Sequence, residues 1–471
     1  MSPLRPGAPG KDLRPDTLPR LVTSGRKLRR ERLYRAESTD GPPELITDWR
    51  CTTDGQYDLY VGIDWGSREH QVCLLRANGT VLRDATVKHE GRALQEFAAW
   101  LVRRAGDPAR VAVAIETPHG TLVDEFMARG CAVFHLNPKQ LDRFRDRYSP
   151  AGAKDDRRDA RVLAGALRTD LAAFHQLDLE QPLVIQLRET GRVDEQIGTD
   201  LTAWCNRLWE LLHRSWPALL ELSPAADDPW LWGLLERAPS PAQGRRLRRA
   251  TIGALLRKHQ VRRLTPDQVY QALQQPPVYL APGAREANVY QVGMALPIIR
   301  SLHQRRLQSE RRLQTLLAEL TAEPALGATD DEQQQHRDAV ILLSLPGVGT
   351  RIGATMLGEA ARALATRDYH RLRSLCGVAP VTRQSGRQRR VVMRRAASKR
   401  LRNATHRWAG CMIQHDEAAR SHYDALRDRG HSHAHALRSL ADRLLNVLVA
   451  MLRDGTTYDA SRRHRRVASA A

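Results

Sequence analysis

"RVAVAIE", Arg110–Glu116, is the stretch that most narrows what this chain can fold into. Its apolar residues run almost unbroken. That is the pattern of a strand buried on both faces, in a sheet covered by helices. The neighbouring segments supply those layers. Upstream, "DLYVGID" reads as one strand, "HQVCLLRANG" as a second closing on the turn pair Asn78-Gly79, and "TVLRDATVKH" as a third. The three predict an antiparallel meander. "ALQEFAAWLVRRAG" has helical spacing and stops at Gly106. Downstream, "TLVDEFMARG" reads as a helix, "CAVFHLN" as a strand and "DDRRDARVLAGALR" as a helix. Hairpin strands followed by alternating helices and strands predict an α/β domain with a mixed sheet.

Beyond about residue 178 the pattern turns helical. Val193, Ile197, Leu201, Trp204, Leu208 and Leu211 step along one helix face, and Leu313, Leu316 and Leu320 repeat the spacing in a charged helix expected to begin near Pro297. Two such helices far apart in sequence predict an antiparallel coiled coil or bundle. The Pro-, Gly- and Trp-bearing interruption at 223–292 reads as an inserted subdomain. A third unit opens near Asp338 with "VILLSLPGVGTRIGATMLGEA" and stays helical to "DGTTYD"; within it "LLNVLVAML" reads as a buried helix. The expected organisation is a basic disordered tail at 1–55, an α/β domain at 56–178, a helical region at 179–335, a mainly helical C-terminal domain at 336–460 and a basic tail at 461–471.

Charge bears on the partner. The 471 residues hold 74 Lys and Arg against 53 Asp and Glu, a formal charge of +21, and only 7 of the basic residues are lysine. Coding bias exchanges Lys for Arg but does not create net charge, and guanidinium forks suit phosphate. A nucleic acid is the expected partner. Cys51, Cys73, Cys131, Cys205, Cys376 and Cys411 form no C-x-x-C pair, which argues against a disulfide framework or zinc site and fits a reducing cytoplasm. No secretory h-region and no membrane-length apolar run is visible.

Four carboxylates stand out. Asp64 ends the first strand and Glu116 ends the buried one, while Asp156 and Asp159 lie three apart on a predicted helix and share its face. Adjacent strands ending together would set Asp64 beside Glu116, with the helix bringing the other two above them. Clustered carboxylates repel unless cations neutralise them, and hard oxygen donors select Mg²⁺ or Mn²⁺. Such ions can activate both oxygens of a phosphodiester displacement. Singly, each acid also fits a turn former or a solvated helix residue, and Asp155 reads as the latter. "LPGVGTRIGA" reads as a helix-hairpin-helix element. Gly347 and Gly349 would expose backbone N–H groups to phosphate at a helix start that carries Thr350 and Arg351. In "CGVAPVTRQSGRQRRVVMRR", Ser385-Gly386 sits in an expected loop among Arg383, Arg387, Arg389, Arg390 and Arg394, which read as phosphate clamps. No local base activates Ser385, so spacing alone makes it a loop serine. "GHSHAHA" places its histidines on different helix faces and reads as structural. An actin-like ATPase phosphate loop would also fit Asp64-Trp65-Gly66-Ser67, though no second such hairpin follows; a non-enzymatic architectural protein would leave the acids structural.

Together, "GIDWGSREHQVCLL", "AIETPHG", "NPKQLDRFRDRYSPAGAKDDRRDARVLAGAL", "LLSLPGVGTRIGATMLGEA" and "LCGVAPVTRQSGRQRR" resemble the DEDD-type transposases of bacterial insertion sequences. The resemblance covers about 60 to 459. Its most specific part is the KxDxxDA arrangement at Lys154–Ala160 with the Ser385-Gly386 pair downstream. It implies a RuvC/ribonuclease-H-like mixed-sheet domain, a helical coiled-coil middle and a mainly helical C-terminal transposase domain. It further implies a metal-binding tetrad of Asp64, Glu116, Asp156 and Asp159, with Asp156 rather than Asp155 in the third position. Ser385 falls where the family carries a serine that forms a transient phosphoserine link to DNA. The family's partners are donor and target DNA and a structured bridge RNA. Its dimers pair into tetramers in which metal site and serine can come from different subunits, so Ser385 could be activated in trans. The implied setting is the bacterial cytoplasm, at the nucleoid. The long basic N-terminal tail and extended helical middle depart from the family pattern. A RuvC-like structure-specific nuclease that uses the four acids and water is the alternative.

Overall fold

The computed structural model describes residues 56–118, 120–148, 155–177, 181–386 and 388–459. Both basic tails, Lys154 and Arg387 lie outside the described residues. The chain divides into two compact units, one ending at Leu179 and one beginning at Glu180.

The first unit is the expected mixed sheet. Its elements in chain order are β1 (Leu59–Asp64), β2 (Glu69–Arg76), β3 (Val81–Lys88), α1 (Gly91–Ala105), β4 (Val111–Ile115), α2 (Thr121–Ala128), β5 (Ala132–His135), α3 (Pro138–Tyr148), α4 (Asp156–Thr169) and β6 (His175–Gln176). The strand order is β3-β2-β1-β4-β5-β6. The first three strands form the antiparallel meander, β1, β4 and β5 run parallel, and β6 returns antiparallel on β5. Every residue of β4 is buried, as its unbroken apolar run requires. Alternation splits the central strands between two cores. Val61, Ile63, Val113 and Ile115 pack with Phe97, Leu101, Leu122 and Phe126 of α1 and α2. Tyr60, Ala112 and Ala114 pack with Ala160, Leu163, Ala164 and Leu167 of α4. Small residues on that second face let α4 come very close. A Cβ on Gly62 would stand 1.9 Å from the Ala160 carbonyl oxygen and 2.5 Å from the Ala164 nitrogen. Only glycine fits there. Neither α3 nor the two-residue β6 was expected from the sequence.

The second unit begins with α5 (Pro182–Ser215), followed by α6 (Ala218–Leu222), α7 (Pro229–Arg237), α8 (Pro241–Gly244), α9 (Arg249–Lys258), α10 (Pro266–Gln274) and α11 (Pro282–Thr321). Helices α5 and α11 run antiparallel: Asn288 donates to the Leu211 carbonyl at 3.1 Å, the Ser309 hydroxyl to Asp194 at 2.6 Å and Arg312 to Gln186 at 2.7 Å. Helix α11 starts fifteen residues before the expected Pro297, which lies inside it. An interior proline forfeits a hydrogen bond at about 3 kcal/mol. Burial of Val292, Ala295, Leu296 and Ile299 around it offsets that loss. The interruption is consequently shorter than 223–292. Its helices pack Trp230 and Trp232 with Trp216, Leu208 and Leu212 in one core. The buried seam of α5 also differs from the expected stripe. Leu187, Asp194, Leu201, Cys205, Leu208 and Leu212 are buried, whereas Val193 is exposed.

The chain continues through α12 (Asp330–Ser344), α13 (Thr350–Glu359), α14 (Ala361–Ala365), α15 (Tyr369–Leu375), β7 (Val381–Ser385), β8 (Gln388–Val392), α16 (Lys399–His415), α17 (Glu417–Asp428) and α18 (His433–Asp454). Thr329 and Glu332 form a capping box that starts α12, so residue 336, the expected domain start, lies inside this helix. Leu313, Leu316 and Leu320 of α11 share a core with Leu342, Leu357, Trp408, Leu444 and Leu448, and the apolar run in α18 is buried as expected. Ser385 ends a strand of a two-stranded hairpin, where the sequence suggested a loop. Among the described residues no helix is long and apolar enough to cross a membrane.

Candidate active site

The register of the parallel strands decides where two of the acids stand. Ile63 pairs with Ile115, so Asp64 and the residue after β4, Glu116, follow in step at the same sheet end. Side chains alternate along a strand. Asp64 therefore shares the face of Tyr60 and Gly62, and Glu116 that of Ala112 and Ala114, the face covered by α4. The contact of Gly62 with Ala160 fixes the height of α4 on this face. Asp159, one residue earlier and 1% exposed, is thereby set into the same end. Asp156 occupies the exposed first turn of α4, and Asp155 is its exposed N-cap residue. Carboxylates in a first turn also meet the positive end of the helix dipole.

Asp159 carries a buried charge, and its partner comes from α3. Arg145 grips it with both arms, Nε to Oδ1 at 2.5 Å and a second guanidinium N–H to Oδ2 at 2.7 Å. Arg145 also bonds Asp142 on its own helix. The ion pair with Asp159, assisted by Asp142 and Glu116, raises the Arg145 pKa above its ordinary value despite partial burial. One guanidinium thus stands in the field of both Asp159 and Glu116. It supplies part of the neutralising positive charge that the sequence assigned to metal ions. Among the described residues no group of three or more His, Cys, Asp and Glu side chains stands close enough to hold a metal ion. The acids are gathered at one sheet end without forming a ready-made cage.

The turn leaving Asp64 is braced from below. The Gly66 N–H donates to His70 Nδ1 at 3.3 Å, and His70 Nε2 meets His89 Nδ1 at 3.0 Å. A Cβ on Gly66 would lie 2.2 Å from the Glu69 carbonyl oxygen, so the tight turn requires glycine. His70 is fully buried, and burial together with His89 lowers its pKa to about 4. It is a neutral strut. Trp65 beside it is 44% exposed. The sequence drew attention to neither Arg145 nor this His70–His89 brace; a buried acid demands a cation, but three arginines of α3 were equally eligible.

In the second unit, Ser385 and Gly386 form one end of the β7–β8 hairpin, with Gly386 at φ +54°. Cross-strand pairs place Ser385 opposite Gln388 and Arg383 opposite Arg390, on one face by alternation, and Gln384 opposite Arg389 on the other. Ser385, Arg383, Arg389 and Arg390 are all exposed; Arg394 is half-buried and follows the hairpin. Helices α12 and α13 meet at the expected hairpin, with Gly347 at φ +77° and the Trp408 indole donating to the Pro346 carbonyl at 2.9 Å. Gly349 is the exposed N-cap residue of α13, and Thr350 is half-buried at the first helical position. Arg351 turns inward to Asp194 at 2.8 Å and Glu310 at 3.2 Å, and so holds α13 on α5 and α11. Cys73, Cys131, Cys205 and Cys376 are free, buried thiols whose pKa values burial raises to between about 11 and about 12, which removes them from nucleophilic chemistry.

Comparison with known proteins matches this architecture in both units. A profile for DEDD transposases of the IS110 type, described as a transposase, matches residues 61–217, and one described as the transposase IS116/IS110/IS902 family matches 339–424. A mini-circle protein for IS117 of Streptomyces coelicolor, named as a candidate transposase, is 30% identical over 86% of this chain and 96% of its own length. An IS110 protein of the same organism is 29% identical over 85% of this chain and 96% of its own length. A Sinorhizobium fredii protein, also named as a candidate transposase, is 41% identical over half of this chain and 64% of its own length. A mixed α/β unit with acids at one sheet end, followed by a helical unit, is here the framework of a transposase. The chain belongs to the IS110/IS116 family of insertion-sequence transposases.

Proposed function

We propose that the sheet end carrying Asp64, Glu116 and Asp159, with Asp156 at the rim, is a divalent-metal centre for cutting and rejoining DNA strands, and that Ser385 is the attacking nucleophile. The observation that supports this reading is the joint registration of β1, β4 and α4, which sets acids distant in sequence at the same end of the sheet. The donor chemistry fits Mg²⁺ or Mn²⁺: carboxylate oxygens, no thiol, and a neighbouring imidazole whose two nitrogens are already engaged. A bound ion would supply Lewis-acid activation of the phosphodiester. The chain's own residues hold and orient: Asp64 and Glu116 from strand ends, Asp159 from a helix anchored on Gly62, and Arg145 as the counter-charge that Asp159 shares.

Ser385 Oγ would form a bond to phosphorus as the strand's 3′ oxygen leaves with a proton, giving a phosphoserine that the incoming 3′ hydroxyl reverses. Its neighbours on the hairpin face, Gln388, Arg383 and Arg390, include no base. In this reading the deprotonation is helped by a carboxylate centre, in cis or from a partner copy in a dimer or tetramer. Arg383, Arg387, Arg389, Arg390 and the open end of α13 at Gly349 and Thr350 would grip phosphates. Arg351, spent on Asp194 and Glu310, would position the hairpin. The charge of +21 suits DNA together with a structured guide RNA, in a bacterial cytoplasm.

The test uses labelled DNA spanning the element's ends with Mg²⁺ or Mn²⁺ supplied. Asp64→Asn, Glu116→Gln and Asp159→Asn should abolish strand cleavage and keep DNA binding; Ser385→Ala should abolish the protein–DNA adduct on denaturing gels. Undiminished cleavage by Ser385→Ala, with the acid variants inactive, would establish the nuclease alternative without a covalent intermediate. RNA that fails to copurify with the protein would remove the guided part of the reading.

A further inference from the structure

We infer that Trp65 is a stacking platform for a nucleobase adjoining the phosphate that is cut, a positioning residue for the DNA substrate. This rests on the reading of Asp64 as part of the cleavage centre. This exposed aromatic directly follows Asp64, so the two Cα atoms are one peptide link, about 3.8 Å, apart. Side chains alternate at the strand end, which sends the carboxylate toward α4 and the indole away from it. The indole packs against two imidazoles. Its ring centroid lies 5.9 Å from that of His70 in a tilted contact and 6.0 Å from that of His89 edge-on. Those two imidazoles are themselves edge-to-face at 5.1 Å and joined by a hydrogen bond. The backbone beneath it is pinned by the Gly66 N–H bond to His70.

This is a braced aromatic with 44% of its surface still open. Ser67 and Arg68, both exposed, continue the same turn and add polar and cationic groups at its rim. Trp216, Trp230, Trp232 and Trp408 of the second unit are buried, and Trp100 of the first unit is half-buried against its core, whereas Trp65 is exposed. An exposed π-face next in sequence to the proposed cleavage site, in a chain of +21, has the chemistry to receive a base unstacked from its neighbour. Holding that base would fix the sugar-phosphate backbone relative to Asp64.

The probe is element-end DNA with 2-aminopurine beside the mapped cleavage position, bound to full-length protein in an Asp64→Asn background that leaves the strand intact. Trp65→Ala and Trp65→Leu should weaken binding roughly ten- to hundredfold, the worth of one base–aromatic stack, and lose the quenching of 2-aminopurine. Trp65→Phe should restore both to within a few fold. In protein that retains Asp64, the Ala and Leu variants should cleave with raised KM and lowered kcat, and Trp65→Phe should restore both. Parental affinity and quenching in Trp65→Leu would overturn the inference, as would a change in oligomeric state with unaltered DNA affinity, which would make the indole a partner contact. Cleavage by the Asp64→Asn parent would instead overturn the reading of the site itself, so the two failures are distinguishable. Should Trp65→Ala not fold, the contrast of Leu with Phe decides.

Discussion

Gly62→Ala should separate a helix from its sheet with a single methyl group. The new Cβ would stand 1.9 Å from the Ala160 carbonyl oxygen and 2.5 Å from the Ala164 nitrogen, both main-chain atoms of α4 that no rotamer change can move. Regaining an ordinary separation of roughly 3.4 Å moves the helix by about 1.5 Å. Overpacking of this kind costs about 1–3 kcal/mol. In a strand that offered room, the same change would stabilise by about 0.5–1 kcal/mol, because glycine loses the most backbone entropy on folding. The sign of the stability change is therefore diagnostic. Asp159 rides on α4 beside Ala160, so the displacement also misplaces a carboxylate of the proposed cleavage centre, and about 1 Å there is worth roughly a hundredfold in rate. Urea denaturation followed by far-UV circular dichroism gives the first quantity, and cleavage of labelled element-end DNA under single-turnover conditions gives the second. Gly191→Ala is the control: Gly191 lies within α5 with nothing within 4 Å of its added Cβ, and that variant should be stabilised by about 1 kcal/mol. A neutral or stabilised Gly62→Ala with full cleavage activity would refute the close helix–strand contact and the registration built on it.

Two further consequences are measurable. Arg145→Gln strands Asp159 as a buried charge and should destabilise the first unit by about 3–5 kcal/mol, most of it recovered in the double variant with Asp159→Asn; a double-mutant cycle with coupling near zero would show the pair to be incidental. His70 has its pKa lowered to about 4 in the folded chain, against about 6.5 unfolded. Because the folded state disfavours the proton, its contribution is fully present above pH 6.5 and is lost as pH falls toward 4, by up to about 3 kcal/mol. The difference in stability between the parent and His70→Gln should shrink across that window, and a difference independent of pH would show that His70 does not titrate as a buried neutral strut.

The parts of the fold that were legible in the sequence are those where local pattern and tertiary role coincide. Arg110–Glu116 announced a doubly buried strand, and the period-2 runs before it announced the meander. The placement of Asp64 and Glu116 at neighbouring strand ends followed from both strands closing on an acid. Helix α3 was not legible, because "KQLDRFRDRY" is mostly charged and buries little beyond Leu141; its cation for Asp159 depends on how α3 meets α4. The seam of α5 was misjudged for a related reason. Gly191, Asp194 and Gly198 occupy its path, so the visible apolar residues Val193 and Ile197 suggested a face one residue away. Strands β7 and β8 looked like a loop because both faces are exposed and arginine-rich. Pairing there lies in the backbone, where composition leaves little trace.

Asp194 has a consequence for assembly of the second unit. It is a buried carboxylate midway along a 34-residue helix, held at once by Ser309 of α11 and Arg351 of α13. Apolar seams are forgiving: Leu against Leu fits nearly as well one turn out of step. A lone ionised group in such a seam is not, since slippage would strand it away from its cation at a penalty of several kcal/mol. Asp194 therefore acts as an index mark that admits one alignment of two helices spanning about 50 Å. The position of the glycine hairpin at Leu345–Gly349 along this rod is set by the same mark.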